Sequence, residues 1–226
     1  MFYVIIQGMK IKSIHTITKG AFNENTYIVE YEDRSCILID PGLDGDGILK
    51  FIKDNDLTLK GTVLTHNHFD HIAAINKEIL EGKIYMSLTD KADLLDPSYT
   101  TLMYNTYGHY LIENEDDFKS FYSLILSKKD NIIGVKDADV IQDAFKVIFT
   151  PGHTKGSICL LDDGNNVIFT GDTLFKDGYG RYDLPGGDYK TLMGSLDALL
   201  KLPEHLKVYS GHGGVTTIGN ERKHFF

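Results

Sequence analysis

A cluster of metal-capable side chains stands in the first half of the chain. His66, His68, Asp70 and His71 directly follow the apolar run 61–64. Because residues two apart in an extended segment face the same side, His66 and His68 should point together, and a turn after them would aim Asp70 and His71 at a second point nearby. Imidazole nitrogens and carboxylate oxygens are ligands for zinc and neighbouring first-row metals. The spacing therefore predicts a pair of metal sites rather than core packing.

Three later residues lie in the same kind of position. His153 follows the strand-like run 145–149, Asp172 follows 167–169, and His212 follows 207–211. Strand ends that converge on one edge of a sheet are where ligands and catalytic groups collect. A glycine precedes each of these three residues, which lets the backbone come close to a crowded site. Together with the first cluster they supply enough ligands for two metal ions.

The order of these segments resembles the metallo-β-lactamase superfamily. The segments are His-x-His-x-Asp-His at 66–71, Pro-Gly-His-Thr-Lys-Gly-Ser at 151–157, Gly-Asp-Thr-Leu-Phe at 171–175 and Gly-His-Gly at 211–213. Within the superfamily the match is to glyoxalase II-like hydrolases, and residues 180–188 and 212–222 resemble their short bacterial branch. The resemblance runs from about 9 to 222, apart from a middle segment. It implies an α/β fold: a four-layer αββα sandwich of two mixed β-sheets with helices outside and the metals at one edge.

The resemblance also implies roles for the ligands. One metal would be held by His66, His68 and His153, and the other by Asp70, His71 and His212, with Asp172 bridging them. We expect two divalent ions, zinc first, although iron and manganese accept the same donors. Water held between two such ions has a lowered pKa and is a ready nucleophile, and Asp70 could orient it or carry its proton. Asp40, which ends the run 36–39, is expected to orient a ligand histidine; the alternative is an ordinary turn aspartate.

The resemblance predicts hydrolysis of a thioester, such as a hydroxyacyl-glutathione. Larger glyoxalase II enzymes carry an additional C-terminal helical domain with much of the glutathione pocket, and its residues have no counterpart here. Arg181 could bind a substrate carboxylate through two parallel hydrogen bonds. It could equally form an ion pair with Asp183 or Asp188. Tyr179 and Lys155 are weaker candidates for contact with the substrate.

Other functions compete with this one. Persulfide dioxygenases have a similar fold and use a single iron. Their sequences carry a Gly-Arg-Thr-Asp-like stretch similar to residues 180–183. A hydrolase acting on another ester, a lactone or a β-lactam is a second alternative, and a metal-stabilised binding protein without catalysis is a third. Metal content and oxygen dependence discriminate between the first alternative and the hydrolase.

Composition limits the remaining choices. A chain of 226 residues with 42% apolar and 24% charged residues suits one globular domain spanning 1–226. The net charge of −9 argues against a nucleic-acid surface, and the apolar start 1–8 is too short to span a membrane. That start could be an additional edge strand or a loose tail. Cys36 and Cys159 lie in apolar runs and are predicted to be buried free thiols, which suits the cytoplasm. The expected partner is a small molecule.

Hydrophobic periodicity predicts a β-rich chain with helices between its strands. Strands are predicted near 10–17, 26–31, 36–39, 61–64, 83–86, 145–149, 158–161, 167–169 and 208–209, and helices near 47–55, 72–80, 189–200 and the end of the chain. An aromatic-rich insertion at about 96–130 is predicted to be helical. It could be a helical hairpin with its own core, a wall or lid over the metals, or a homodimer interface. His109 within it is interpreted as a surface or lid residue.

Overall fold

Two mixed β-sheets face each other in the computed structural model, which describes residues 9–20 and 22–225. The first sheet has the order β1-β2-β3-β4-β5-β6, antiparallel from β1 to β3 and parallel from β3 to β6. Its strands are β1 Ile11–Lys19, β2 Glu24–Tyr31, β3 Ser35–Ile39, β4 Thr58–Val63, β5 Ile84–Ser87 and β6 Ile132–Val135. The edge strand considered for residues 1–8 lies outside the described residues.

The second sheet has the order β12-β11-β10-β9-β8-β7. Its strands are β7 Val140–Ile141, β8 Phe145–Phe149, β9 Ile158–Asp162, β10 Val167–Gly171, β11 Lys207–Ser210 and β12 Thr216–Thr217. Only β10 and β11 pair in parallel, and the other neighbours are antiparallel. Consequently β8, β10 and β11 run in the same direction, and their carboxyl ends meet at one edge.

Helices cover the outer face of each sheet. They are α1 Gly45–Asp54, α2 Phe69–Ile72, α3 Lys77–Glu81, α4 Leu88–Leu95, α5 Pro97–Thr106, α6 Glu115–Ser127, α7 Tyr189–Leu199 and α8 Ile218–Phe225. None of the helices in the described part of the chain combines the length and apolar character that crossing a bilayer requires.

Three apolar layers hold the sheets and helices together. Strand β3 illustrates them, because Ile37 and Ile39 face the second sheet while Cys36 and Leu38 face the helices. Since both faces of the strand are covered, it is an uninterrupted apolar run rather than an alternating one. A third layer packs α7 and α8 against the outside of the second sheet, where Cys159 lies. This arrangement confirms the predicted four-layer αββα sandwich, and Cys36 and Cys159 are buried and free as predicted.

The predicted helix near 72–80 is wrong as one element. Helix α2 ends at Ile72, and α3 begins at Lys77 after a break. The side chain of Asn76 accepts a hydrogen bond from the Ile79 N–H at 3.1 Å, so it caps a new helix rather than continuing the old one. The Ala74 N–H donates to the Pro41 carbonyl at 3.1 Å, which draws the break toward the loop after β3.

The aromatic segment forms α5, a short 3-10 turn at Gly108–Tyr110, and α6. Tyr104 stacks on Phe118 with ring centres 4.2 Å apart, and Phe118 in turn packs against Phe69 at 6.1 Å. The segment therefore has a small core of its own, and that core includes the first residue of α2. Since α2 carries Asp70 and His71, the segment also supports the candidate metal ligands. His109 lies on its surface and contacts the Tyr104 carbonyl at 3.2 Å.

Candidate metal centre

The predicted ligands gather at the sheet edge in two groups. Donor atoms of His66, His68 and His153 lie within 4.8 Å of one another, and so do those of Asp70, His71 and His212. Each group draws on both sheets, because the loop after β4 supplies 66–71 while β8 and β11 lead to His153 and His212. The structure thus brings the sequence-predicted residues together in the two sets proposed from the resemblance.

Asp172 lies between the two groups. Its Oδ2 is 3.5 Å from His153 Nε2, in the first group, and 3.4 Å from His212 Nε2, in the second. Its Oδ1 is 3.3 Å from His71 Nε2. Asp172 is the residue after β10, so the strand end places its carboxylate at the midpoint of the edge. This is the position that a bridging ligand requires.

Hydrogen bonds at Nδ1 fix the orientation of several histidines. His153 Nδ1 donates to the Arg181 carbonyl at 2.6 Å, and His212 Nδ1 donates to the Phe22 carbonyl at 2.9 Å. Because a carbonyl can only accept, Nδ1 of each ring carries a proton, and in the neutral form of the ring the Nε2 lone pair points into the centre. Buried donors of this kind are how proteins present imidazole to a metal.

Asp40 contacts a histidine of the second group directly and one of the first group through Thr65. Its Oδ2 contacts His71 Nδ1 at 3.0 Å and accepts from Thr65 Oγ1 at 2.6 Å, while its Oδ1 accepts from the Thr65 N–H at 2.7 Å. Thr65 Oγ1 in turn contacts His66 Nδ1 at 3.0 Å. The backbone of Asp40 is left-handed, with φ of +48°. One carboxylate thereby orients a histidine from each group, and this geometry supports the orienting role rather than that of an ordinary turn residue.

The donor set fits divalent metal ions. His68 Nε2, His71 Nε2 and Asp172 Oδ1 are buried and have no hydrogen-bond partner among the described residues. His153 Nε2 and His66 Nε2 are 3.2 Å apart, although both rings have their Nδ1 atoms engaged elsewhere. Facing lone pairs repel, and buried polar atoms without partners are costly, so a cation among them satisfies both requirements.

Some of these groups are already in the ionisation state that binds a metal, and others must first lose a proton. Burial, together with neighbouring histidines, lowers the pKa of His66 and His68 well below the ordinary value, which keeps the rings neutral. Burial also opposes ionisation of Asp172, but the charge of His71 and the hydrogen bond from His212 hold its pKa well below the usual range. Burial likewise works against protonated His212, yet the hydrogen bonds that it donates to Asp172 and Asp70 raise its pKa to about 10. A divalent ion would replace that proton as the partner of the carboxylates.

Gly211 permits the close approach of the second sheet to the centre. A Cβ atom at this position would lie 2.2 Å from Asp172 Oδ1 and 2.6 Å from His71 Cε1. Both distances are far inside van der Waals contact, and His71 is held in place by its contact with Asp40. A side chain at this position therefore cannot be accommodated without displacing candidate ligands.

A cavity of about 290 Å³ opens onto the two groups. Its wall includes the candidate ligands Asp70 and Asp172 together with the apolar side chains of Phe22, Phe175 and Leu184. Small-molecule sites are characteristically apolar clefts with a few convergent polar groups. The volume lies at the lower end of the range for such sites, so the cavity suits a small acyl group with the rest of a bulky substrate outside.

The three residues predicted to contact the substrate lie at different distances from the cavity. Arg181 lines the cavity, and its guanidinium forms two hydrogen bonds of 2.8 Å with Asp183. The ion pair with Asp183 is therefore present, and it lies at the rim of the cavity. Tyr179 lies away from the cavity, where its ring packs against Phe225 at 6.0 Å. Lys155 also lies elsewhere and faces Asp93 at 3.8 Å. The prediction that Tyr179 and Lys155 touch substrate has no support in their positions.

Residues 20–212 match the model of the metallo-beta-lactamase superfamily. The chain belongs to the metallo-β-lactamase superfamily. It is 31% identical over 213 residues to the hydroxyacylglutathione hydrolase GloC of Haemophilus influenzae, which covers 93% of this chain and 95% of the relative. This membership makes the protein a metal-dependent enzyme of a hydrolase superfamily, and it confirms the predicted family.

Two solved structures of similar proteins agree with this membership. The BLEG-1 B3 metallo-beta-lactamase is 30% identical, with a TM-score of 0.75 and coverage of 93% of this chain and 97% of that chain. The protein TTHA1623, solved in a di-iron-bound form, is 29% identical, with a TM-score of 0.70 and coverage of 92% and 96%. Both alignments span nearly the whole of each chain, so the likeness extends well beyond the ligand motifs.

Sequence reasoning missed Asp90 in this metallo-β-lactamase-fold protein. The carboxylate is fully buried, and its Oδ2 accepts from the Asn67 N–H at 3.1 Å and from Thr154 Oγ1 at 2.8 Å. Asn67 stands between two ligands of the first group, and Thr154 follows the third. Asp90 therefore ties together both loops that carry that group. The one signal in the sequence is the Ser-x-x-Asp spacing from Ser87, which marks a helix start and not this contact.

Two further residues at the centre were missed. Glu24 is buried beside His71, with Oε1 3.9 Å from His71 Nδ1, and burial raises its pKa well above the ordinary value. Its position at the start of β2 carries no motif that marks it. Tyr107, from the aromatic segment, lines the cavity and packs edge-on against His68 with ring centres 5.6 Å apart. It is one of the aromatic residues of the insertion, and composition does not indicate its individual place.

Proposed function

We propose that this protein is a dinuclear metal-dependent hydrolase that cleaves a thioester, such as a hydroxyacyl-glutathione. The observation that carries the proposal is the double ligand group with Asp172 between its halves. A single-metal enzyme needs only one of these groups to be complete. The thioester is supported by the 31% identity to a hydroxyacylglutathione hydrolase.

The first metal would be held by the group His66, His68 and His153, and the second by Asp70, His71 and His212, with Asp172 shared. When bound, two divalent ions would lower the pKa of a water molecule between them and polarise the thioester carbonyl. Zinc is the first expectation for these donors, and iron or manganese would fit them as well.

The protein's own residues supply the remaining functions. Asp70 lines the cavity, and its Oδ2 is 3.4 Å from His212 Nε2 and 3.8 Å from His71 Nε2. Although burial opposes it, the charge of His71 lowers the pKa of Asp70, so the carboxylate is ionised. An ionised carboxylate at the cavity wall can orient the attacking water and accept its proton.

The cavity wall would hold the substrate. Phe22, Phe175 and Leu184 provide apolar surface for the acyl chain. The guanidinium of Arg181 at the rim would attract a carboxylate of the thiol carrier, sharing itself between that group and Asp183. The bulk of the carrier would lie on the surface outside the cavity.

The test is metal content measured together with hydrolysis of S-lactoylglutathione, followed as thiol release. About two metals per chain with thiol release is expected. Two metals without thiol release would refute the thioester while keeping a hydrolase, and β-lactam hydrolysis would then be assayed because of the likeness to BLEG-1. One iron per chain, together with consumption of oxygen when a persulfide is added as substrate, would refute the hydrolase.

An Asp172→Ala variant tests the bridging position separately. We expect it to lose metal from both groups and activity with it, because its carboxylate approaches histidines of each group. Retention of two metals with full activity in the variant would exclude the bridging role. Asp163→Ala, a change of the same kind in the β9–β10 turn, is the matched control.

A further inference from the structure

Tyr107 occupies a distinctive position at the wall of the cavity. It directly follows α5 in the aromatic segment, and its ring packs against His68 at 5.6 Å and Phe69 at 6.1 Å. On the other side, Phe22 approaches the same ring at 6.5 Å. The phenol thereby lies between the loop of candidate ligands, 66–71, and the mouth of the cavity. It lines this cavity together with Asp70.

The hydroxyl group of Tyr107 is oriented by the backbone. Its oxygen accepts a hydrogen bond of 2.7 Å from the Phe69 N–H, which lies in the chain between two candidate ligands, His68 and Asp70. A phenol is protonated at neutral pH and has one proton to donate. That proton has no acceptor among residues 9–20 and 22–225. A fixed oxygen with a free donor at a cavity wall is prepared for an acceptor on a ligand.

We propose that the Tyr107 hydroxyl is a catalytic group that donates a hydrogen bond to the substrate carbonyl oxygen as that oxygen gains negative charge. The inference rests on the proposed thioester hydrolysis. The water oxygen attacks the carbonyl carbon, a C–O bond forms, and the π electron pair moves onto the carbonyl oxygen, where Tyr107 donates without giving up its proton. The carbonyl then re-forms, the C–S bond breaks, and the leaving thiolate takes up the proton lost by the water. Donors fixed before the reaction act with no cost of reorganisation.

Arg181 does not fill this role. It is the other hydrogen-bond donor on the wall besides the candidate ligands, but its side chain is held by Asp183 and is about 59% exposed. Water competes with a donor at the rim. Tyr107 is enclosed by Phe22, His68 and Phe69, so its donor acts in a less polar environment, where such a hydrogen bond is stronger.

Tyr107→Phe removes the donor and keeps the ring. We expect kcat for S-lactoylglutathione to fall roughly 10- to 100-fold, less than the loss of a sole oxyanion donor because metal ions would share the charge. KM and the metal content per chain should change little. The affinity for a phosphonate analogue, which places an anionic oxygen at the carbonyl position, should fall by a similar factor. Tyr104→Phe is the matched control, since that ring is stacked on Phe118 in the segment's own core.

The Tyr107 hydroxyl also accepts a hydrogen bond from the first N–H of α2. A purely structural role of this contact predicts a different experimental result. If Tyr107 only supports α2, the variant should lose metal while kcat per bound metal and phosphonate affinity stay unchanged, and the inference is overturned. Unchanged kcat with full metal overturns it too. Wild-type protein without thiol release overturns the proposed function itself, so the two failures are distinguishable.

Discussion

Replacement of Asp90 by Asn should stabilise the protein, and increasingly so as the pH rises. Burial raises the pKa of the Asp90 carboxyl from its ordinary 3.8 to about 7, against the lowering effect of the Thr154 and Asn67 hydrogen bonds. The nearby charge of Asp93 adds to the rise. Asn keeps the shape and an acceptor oxygen for both hydrogen bonds, but it never carries the buried charge. Desolvation therefore dominates over charge-assisted hydrogen bonding at this position.

The magnitude follows from the linkage between protons and folding. Because the folded pKa lies above that of the unfolded chain, the folded state holds the proton more tightly, and stability falls as pH rises from about 4 to 7. At about 1.4 kcal/mol for each pKa unit, the full loss at pH 8 is about 4 kcal/mol, of which roughly 2–3 kcal/mol accrues between pH 5 and pH 8. The Asp90→Asn variant should not lose this free energy of unfolding, because its side chain does not ionise.

Thermal unfolding of both proteins at fixed excess metal, from pH 5 to pH 8, tests this reasoning. The difference in Tm, variant minus wild type, should grow by roughly 5–10 °C over that range for a chain of this size. Asp188→Asn, at the exposed start of α7, is the control and should show no such growth. A Tm difference that stays constant with pH, or shrinks as pH rises, would falsify the assignment of a protonated Asp90 and show that the hydrogen bonds dominate.

Other changes at the centre have distinct expected outcomes. Asp40→Ala should weaken metal binding by about 10- to 100-fold, as loss of a partner that orients a ligand does, measured by competition with a chelating dye; unchanged affinity would mean that His71 is oriented without it. Gly211→Ala should lose metal because its Cβ would meet Asp172 at 2.2 Å, whereas Gly194→Ala, with no atom within 4 Å, should keep it. Arg181→Ala should raise KM with kcat and metal retained, and an unchanged KM with lower Tm would leave only the ion pair. Metal removal by a chelator should lower the Tm, since ligands that bind only the folded state stabilise it; an equal Tm would contradict metal binding at this edge.

The candidate ligands could be identified in the sequence because their signal is local. His66, His68, Asp70 and His71 lie together in the chain, and His153 and His212 each follow a strand-like run and a glycine. A strand end fixes where such a residue goes, so a correct strand prediction also places the ligand. The resemblance supplied the grouping of ligands around each metal, which spacing alone left open.

The supporting contacts could not be predicted because they join distant parts of the chain. Asp90 reaches Asn67 and Thr154, which are 23 and 64 residues away. Such contacts depend on how α4 packs beside the two loops, and periodicity has no information on that packing. The break between α2 and α3 was missed for a different reason. The apolar spacing of 72–80 suits a helix, but capping by Asn76 and the contact of the break with the Pro41 loop override that preference.

The division of the ligands between two sheets explains how the centre is held. Hydrogen bonds cross between the sheets at this edge: the Ile158 N–H donates to the Thr65 carbonyl at 2.9 Å, and Asn25 Nδ2 donates to the Ser210 carbonyl at 3.1 Å. The backbone therefore positions both halves of each ligand group, which lowers the cost of assembling them around a metal. The aromatic segment adds to that framework, because its core includes Phe69, the first residue of α2, and α2 carries Asp70 and His71. Tyr107 comes from that segment, so the segment contributes both to the support of the ligand loop and to the cavity wall, where a substrate would be recognised.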